Sequence, residues 1–369
     1  MNDLQYWVGF NIVHGVGPKR LQGLIDTFGS LERAWHAPSV QLQQAGLDRR
    51  SLENLLAARA DLDLEREVER VLEAGVEILT WESPGYPRLL KEIDAPPPVL
   101  YVKGELTEED AWAIGVVGTR RASVYGKEVT RKLVGALARN GLTIVSGLAR
   151  GIDGEAHRTA LRAGGRTIAV LGCGVDHVYP PEHRKLAREI VERGALVSDY
   201  PLGTAPEGKN FPPRNRIISG MSLGVLVVEA GARSGALITA DYAAEQGRDV
   251  YAVPGNILAR GSAGTNALIR DGAKLVASAE DVLEELNLTM VVEQEIARQA
   301  LPVDDTEAAL LEHLSEEPTH VDEIQRLAGM PISQVTSTLA MMELKGAVRQ
   351  VGGMKYVVAR EPGVTYVVE

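Results

Sequence analysis

Ala113-Ile114-Gly115-Val116-Val117-Gly118-Thr119-Arg120-Arg121-Ala122-Ser123 passes from an apolar run, through a glycine turn, to a serine able to cap a helix. Val129, Leu133, Ala136 and Leu137 then recur at helical spacing, and Asn140-Gly141 supplies a stop. This is one strand-turn-helix unit. Its strand is apolar at consecutive positions, which predicts a parallel sheet with helices on both faces. The same grammar places strands at 76 to 80, 99 to 103, 113 to 117, 142 to 145, 167 to 171, 195 to 198, 224 to 228 and 249 to 253. The expectation is an α/β, doubly wound, mostly parallel sheet over residues 76–288.

The flanks differ in texture. Residues 1–75 read as short helices, with Leu21, Leu24, Ile25 and Phe28 at helical spacing after a Gly15-Val16-Gly17-Pro18 turn. That pattern fits a small all-α domain of helix-hairpin-helix or SAM-like type. Its turn either offers amides to a phosphate beside Lys19 and Arg20 or is purely structural. Residues 289–302 read as a linker. Residues 303–369 read as a winged helix: Thr319 with Asp322 suggests a capping box, Val335, Leu339 and Met342 share a helix face, and Gly352-Gly353 separates two strand-like runs.

Composition narrows the functional classes. At 369 residues with 45% hydrophobic and 24% charged content, the chain is long enough for several compact units and is not a disordered, collagenous or membrane-bundle sequence. One cysteine, Cys173, cannot form an internal disulfide, and the N-terminus lacks a signal-peptide pattern, so a cytoplasmic location without membrane partners is expected. A net charge of -11 excludes a uniformly basic nucleic-acid coat and leaves room for a local basic site. The tail, with five basic and eleven acidic residues over 303–369, is a poor duplex reader and better suited to protein contacts.

Loops beyond the carboxyl ends of parallel strands carry the candidate chemistry. Gly118-Thr119-Arg120-Arg121 joins close backbone approach to a guanidinium. Ser146-Gly147-Leu148-Ala149-Arg150-Gly151-Ile152-Asp153 runs into a helix N-terminus suited to an anion. Lys209, Arg214 and Arg216 surround Phe211 and Asn215, and Phe211 is one of three phenylalanines. Glu229 to Gly235 forms a fourth loop, with Ser234 and Gly235 opening a helix. Together they describe an anion pocket with an aromatic face for a nucleobase. Composition alone also allows Phe211 to be buried and Arg214 and Arg216 to be paired with carboxylates.

Other features point away from catalysis. Gly172-Cys173-Gly174 lacks the third glycine of a dinucleotide fingerprint. His157 has no metal-spaced partner, Ser146 and Ser234 have no evident base, and Cys173 reads as a buried small hydrophobe. No metal or cofactor is expected.

The chain resembles the DprA (DNA processing protein A, or Smf) family. The resemblance rests on Pro84-Gly85-Tyr86-Pro87, Leu100-Tyr101-Val102-Lys103-Gly104, Val117-Gly118-Thr119-Arg120, and Ser146 to Asp153 with Glu155-Ala156-His157. It continues through Phe211-Pro212-Pro213-Arg214-Asn215-Arg216-Ile217-Ile218-Ser219-Gly220, Arg233 to Leu237, Val253-Pro254-Gly255 and Gly264-Thr265-Asn266. What it implies is a Rossmann-like domain that binds single-stranded DNA, protects incoming strands in natural transformation and helps load RecA recombinase. It also implies a homodimer and no enzymatic activity; weak or no duplex binding is expected on physical grounds, since paired and stacked bases cannot splay onto Phe211 without prior unstacking. The family's pocket arginine falls on Arg120, its aromatic on Phe211, and its lysine on Lys209, which stands two positions before the phenylalanine here rather than the three of the family pattern. The rival class is a nucleotide-processing, phosphoribohydrolase-like enzyme using Glu229 or Asp153, but the Pro-Gly-Gly-x-Gly-Thr loop of that group is missing.

Overall fold

The computed structural model describes residues 3–286, 305–311, 313–315, 318–344, 348–351 and 354–358. The expected linker and Gly352-Gly353 lie outside them. The chain forms two compact units, Met1–Val282 and Leu283–Glu369.

The larger unit is built on a nine-stranded sheet: β1 (Glu77–Thr80), β2 (Val99–Gly104), β3 (Ala113–Val117), β4 (Thr143–Ser146), β5 (Thr167–Val170), β6 (Gly194–Ser198), β7 (Gly224–Val227), β8 (Asp249–Ala252) and β9 (Lys274–Leu275). Their order is β1-β2-β6-β5-β4-β3-β7-β8-β9. Strands β3 to β9 pair in parallel, whereas β1 and β2 add an antiparallel edge. All eight strands expected from the sequence are present. The two-residue β9 was missed because it is too short to show a period.

Helices cover both faces, as consecutive apolar strand residues require. Tyr101, Ala169 and Leu196 bury into one cluster, while Leu100, Val102, Ile168, Val170, Ala195 and Val197 bury into the other, so side chains alternate between two cores. After β3, Ser123 caps α8 (Val124–Arg139) by accepting from the Gly126 amide at 2.9 Å. Leu133, Val134 and Leu137 face inward on α8, with Thr130 buried beside them. Asn140 and Gly141 end the helix as expected.

The N-terminal helices are α1 (Leu4–Ile12), α2 (Pro18–Phe28), α3 (Leu31–His36), α4 (Ser39–Gln44), α5 (Arg49–Asp61) and α6 (Leu64–Glu73). Phe10 meets Trp35 edge-on at 5.1 Å. This core continues into the sheet, since Phe10, Leu24 and Leu55 belong to the same buried cluster as Tyr101 and Leu171. Arg20 is held by the Gly15 carbonyl, Ser51 Oγ and Asp48, and Lys19 pairs with Asp94 at 3.0 Å. Both hairpin cations are therefore engaged within the protein.

The smaller unit contains helices Asp305–Leu311, Val321–Ala328 and Ile332–Leu344 and a three-stranded antiparallel sheet, β10 (Thr319–His320), β12 (Lys355–Val358) and β11 (Val348–Gln350). Val335, Leu339 and Met342 share the buried face, as expected. The capping box is corrected: Thr319 pairs with Tyr356 in the sheet, and His320 caps the helix by accepting from the Asp322 amide at 3.3 Å. Helix Ile332–Leu344 carries no cation, and Thr336 and Ser337 donate their hydroxyls to its own carbonyls.

Candidate nucleic-acid interface

In this sheet β3 lies between β4 and β7, so the chain winds outward in both directions from it. Loops leaving the carboxyl ends of β3 and β7 must diverge there and open a crevice. A cleft of about 620 Å³ occupies that position. Gly118, Thr119, Arg120, Arg121, Arg233, Ser234 and Gly235 line it from the two loops, and Phe211, Arg214 and Asn215 line it from α11 (Phe211–Gly220).

Backbone contacts hold the cleft's shape. The Thr119 amide donates to the Glu229 carbonyl at 2.7 Å, and the Ile152 amide donates to the Thr119 carbonyl at 3.2 Å. The Glu229 carboxylate accepts from the Ser123 amide at 2.9 Å, tying the β3 loop to the β7 loop. Gly151 has φ +78 at the start of α9 (Ile152–Arg162), and a Cβ there would overlap the Thr119 carbonyl oxygen. Only glycine permits this approach without strain. Ser234 accepts from the Ala236 amide and caps α12 (Gly235–Glu245).

Phe211 is half-buried rather than sunk in the core. Its ring lies 5.6 Å from Tyr179, and the Arg120 guanidinium stands 5.4 Å from its centre. Arg214 is also near, at 5.9 Å, but is 4% exposed. It donates to the carbonyls of Gly147, at 2.9 Å, and of Val170. Burial pulls its pKa down, partly offset by Asp153. Arg214 thus serves as a buried brace beneath the aromatic ring.

The structure redistributes the expected site. Ser146 is fully buried and donates to the Val116 carbonyl at 2.6 Å, because it is the last residue of β4 and its hydroxyl lies within the sheet rather than in the loop. Gly147 lines a recess of about 30 Å³ next to the cleft, with Tyr179 and Phe211, and Gly151 shapes the wall from behind. Arg216 points away and pairs with Asp199 at 2.7 Å, where both line a separate crevice beside the N-terminal helices. Helical geometry explains the separation: Arg214 and Arg216, two positions apart, cannot share a face. Lys209 is exposed, pairs with Glu207 at 2.7 Å and does not line the cleft, although Gly208 does. The exposed cations that do line it are Arg120, Arg121 and Arg233, and among the described residues none has a carboxylate ion pair. Arg121 and Arg233 stood in the loops singled out from sequence but were passed over. Tyr179 was missed because nothing in its local pattern marks it.

Of the residues weighed for catalysis, His157 and Cys173 fall into structural roles. His157 is fully buried, 2.7 Å from Thr167 Oγ1, and burial pulls it down to about 3. Cys173 Sγ donates to the His177 carbonyl, and burial pushes the thiol up to about 11. Asp153 does line the cleft and accepts from the Gly147 amide at 3.2 Å. Burial raises its pKa against the opposing pull of Arg214.

Comparisons with known proteins agree with this architecture. The family model for DNA recombination-mediator protein A matches residues 77–287, and that for the DprA winged helix domain matches residues 293–354. The chain is 38% identical to Protein Smf of Synechocystis, over 96% of this chain and 98% of that one. The X-ray structure of DNA processing protein A from Streptococcus pneumoniae superposes with a TM-score of 0.68 at 35% identity, covering 76% of this chain and 97% of its own. A structure describing the single-stranded DNA binding mode of DNA processing protein A from Helicobacter pylori superposes with a TM-score of 0.52 at 29% identity, covering 58% and 96%. With both its sheet domain and its winged helix matched, and a full-length relative at this identity, the chain belongs to the DprA family of DNA recombination mediators.

Proposed function

We propose that the cleft between the β3 and β7 loops binds single-stranded DNA with little sequence preference. One observation carries this reading: unpaired guanidinium groups stand beside a half-exposed aromatic pair at the sheet's switch point. Arg120, Arg121 and Arg233 supply phosphate contacts, and the loop amides add neutral donors. Phe211 and Tyr179 offer a base a stacking surface. Lys209 joins them when a phosphate outcompetes Glu207, since an exposed ion pair is weak. Bases in a duplex are already paired and stacked, so they do not reach this ring without prior unstacking. The Helicobacter pylori relative, described by its single-stranded DNA binding mode, supports the assignment.

In the cell this activity serves recombination: the protein covers incoming single strands during natural transformation and helps load RecA recombinase, acting in the cytoplasm as a homodimer. Two clefts on one particle raise effective concentration along one strand without new contacts. Fluorescence anisotropy with oligothymidine and its duplex counterpart at two ionic strengths tests the binding step. Strong, salt-sensitive binding of the single strand alone is expected; equal binding of both forms would overturn it. Formation of RecA filaments on a coated single strand, with and without the protein, tests the loading step.

A nucleotide-processing enzyme is the second reading, favoured only by Asp153, a buried carboxylate with a raised pKa at the cleft. Release of free base from nucleoside monophosphates would establish it.

A further inference from the structure

The surface does not stop at the Arg120–Phe211 pair. Tyr125, on the first turn of α8, leaves half of its ring exposed while its hydroxyl donates to the Pro254 carbonyl at 3.0 Å. Just beyond, Ile257 and Leu258 are 88% and 87% exposed, and with Val124 at 87% they are the most exposed large hydrophobic residues among those described. The segment presenting them is well tied. Asn266 bridges both the amide and the carbonyl of Gly255, at 3.1 and 3.0 Å, and Asn256 Oδ1 accepts from the Leu258 amide at 2.9 Å. The Gly264 amide donates to the Ala230 carbonyl at 2.7 Å, joining the end of this segment to the loop that carries Arg233. The loops beyond β3, β7 and β8 are therefore tied to one another, and the Arg260 backbone stands against Gly231, which lines the cleft.

Its charge indicates the occupant. Arg121 and Arg260 are exposed and, among the described residues, have no carboxylate ion pair. Polynucleotide tracks combine unpaired cations with stacking rings, as this surface does on a chain whose net charge is -11. A ring anchored through its hydroxyl is held in place at little entropic cost on binding.

We propose that this surface is a second single-strand subsite, in which a strand leaving the cleft passes over Tyr125 and the Ile257-Leu258 pair while Arg121 and Arg260 take its phosphates. This rests on the reading of the cleft given above. Apolar side chains receive base faces here without hydrogen-bond readout, so the subsite is insensitive to sequence.

The test uses the full chain, titrated by fluorescence anisotropy with oligothymidines of about six nucleotides, enough for the cleft alone, and about twenty-five, enough for both subsites. Tyr125→Ala and Arg260→Ala are expected to leave the short probe unchanged and to weaken the long one by about tenfold. Tyr125→Phe, which keeps the ring but loses its hydroxyl anchor, should leave the short probe unchanged and fall between wild type and Tyr125→Ala on the long one. Unchanged affinity for the long probe in both alanine variants would overturn the subsite. So would equal weakening on both probes, which would place the effect in the cleft or the fold. A shift in oligomeric state on sizing, with the short probe unaffected, would assign the surface to a second copy of the chain instead. Failure of the wild-type protein to bind the short probe would instead refute the reading of the cleft itself.

Discussion

The Arg120 guanidinium stands 5.4 Å from the centre of the Phe211 ring, setting a cation that has no carboxylate partner among the described residues against an aromatic surface in the cleft. A phosphate and a base attached to the same nucleotide have this complementary arrangement. The two side chains should therefore fail in different ways when removed.

Arg120→Ala should weaken oligothymidine binding by about tenfold and reduce the magnitude of the salt slope by about 1, as expected for one lost phosphate contact. Phe211→Ala should cost about 1–3 kcal/mol of binding with little change in slope. Titrations at several salt concentrations separate the two. Identical slopes for Arg120→Ala and wild type would remove Arg120 from the phosphate path.

Arg233→Ala should behave like Arg120→Ala, since its side chain lines the cleft and has no salt bridge among the described residues. Arg216→Ala should leave the salt slope unchanged and instead lower stability by on the order of 3 kcal/mol, because Asp199, only 14% exposed, loses its partner. Thermal unfolding alongside DNA titration distinguishes the roles. A flattened slope in Arg216→Ala would return that residue to the interface.

Gly151→Ala should disrupt binding, because the new methyl group would collide with the Thr119 carbonyl and push the Arg120 loop outward. Gly141 is a suitable control: it has φ +82 but open space around its would-be Cβ. Gly141→Ala should cost about 1–2 kcal/mol of stability, the price of a left-handed backbone alone, with DNA affinity retained. Equal affinities for the two variants would show that the clash is absorbed elsewhere.

His157 makes stability pH-dependent. Thr167 Oγ1 donates to the Ile144 carbonyl, so His157 Nδ1 is assigned as the donor to Thr167 and the ring as neutral. Its folded pKa is about 3, against an ordinary value of 6.5, so between these values the unfolded chain holds more protons. Stability from this group is complete above 6.5 and declines as pH falls towards 3. Asp153 acts in the opposite direction: its raised pKa makes its contribution decline as pH rises above the ordinary 3.8. Urea midpoints measured from about pH 7 to about pH 5 should fall more steeply in wild type than in His157→Gln, which retains Asp153. Parallel profiles would show that His157 does not drive the loss.

The sheet was legible in advance because burial on both faces imposes consecutive apolar residues, and each of the eight longer strands carries that signal within its own few residues. The glycine loops and the cap at Ser123 were equally local. Local chemistry also marked Arg120 and Phe211, whose presence at the cleft needed only the rule that ligands gather beyond strand ends.

Which cations remain unpaired was settled by the tertiary structure. Arg214 and Arg216 lie in one short motif, yet one braces carbonyls beneath Phe211 and the other joins Asp199 in a different crevice. Tyr179 and Arg233 reach the site from distant segments. Charge and aromaticity belong to a residue and can be read from its letter. Neutralisation and exposure depend on partners that folding brings from far along the chain, and no local pattern encodes them.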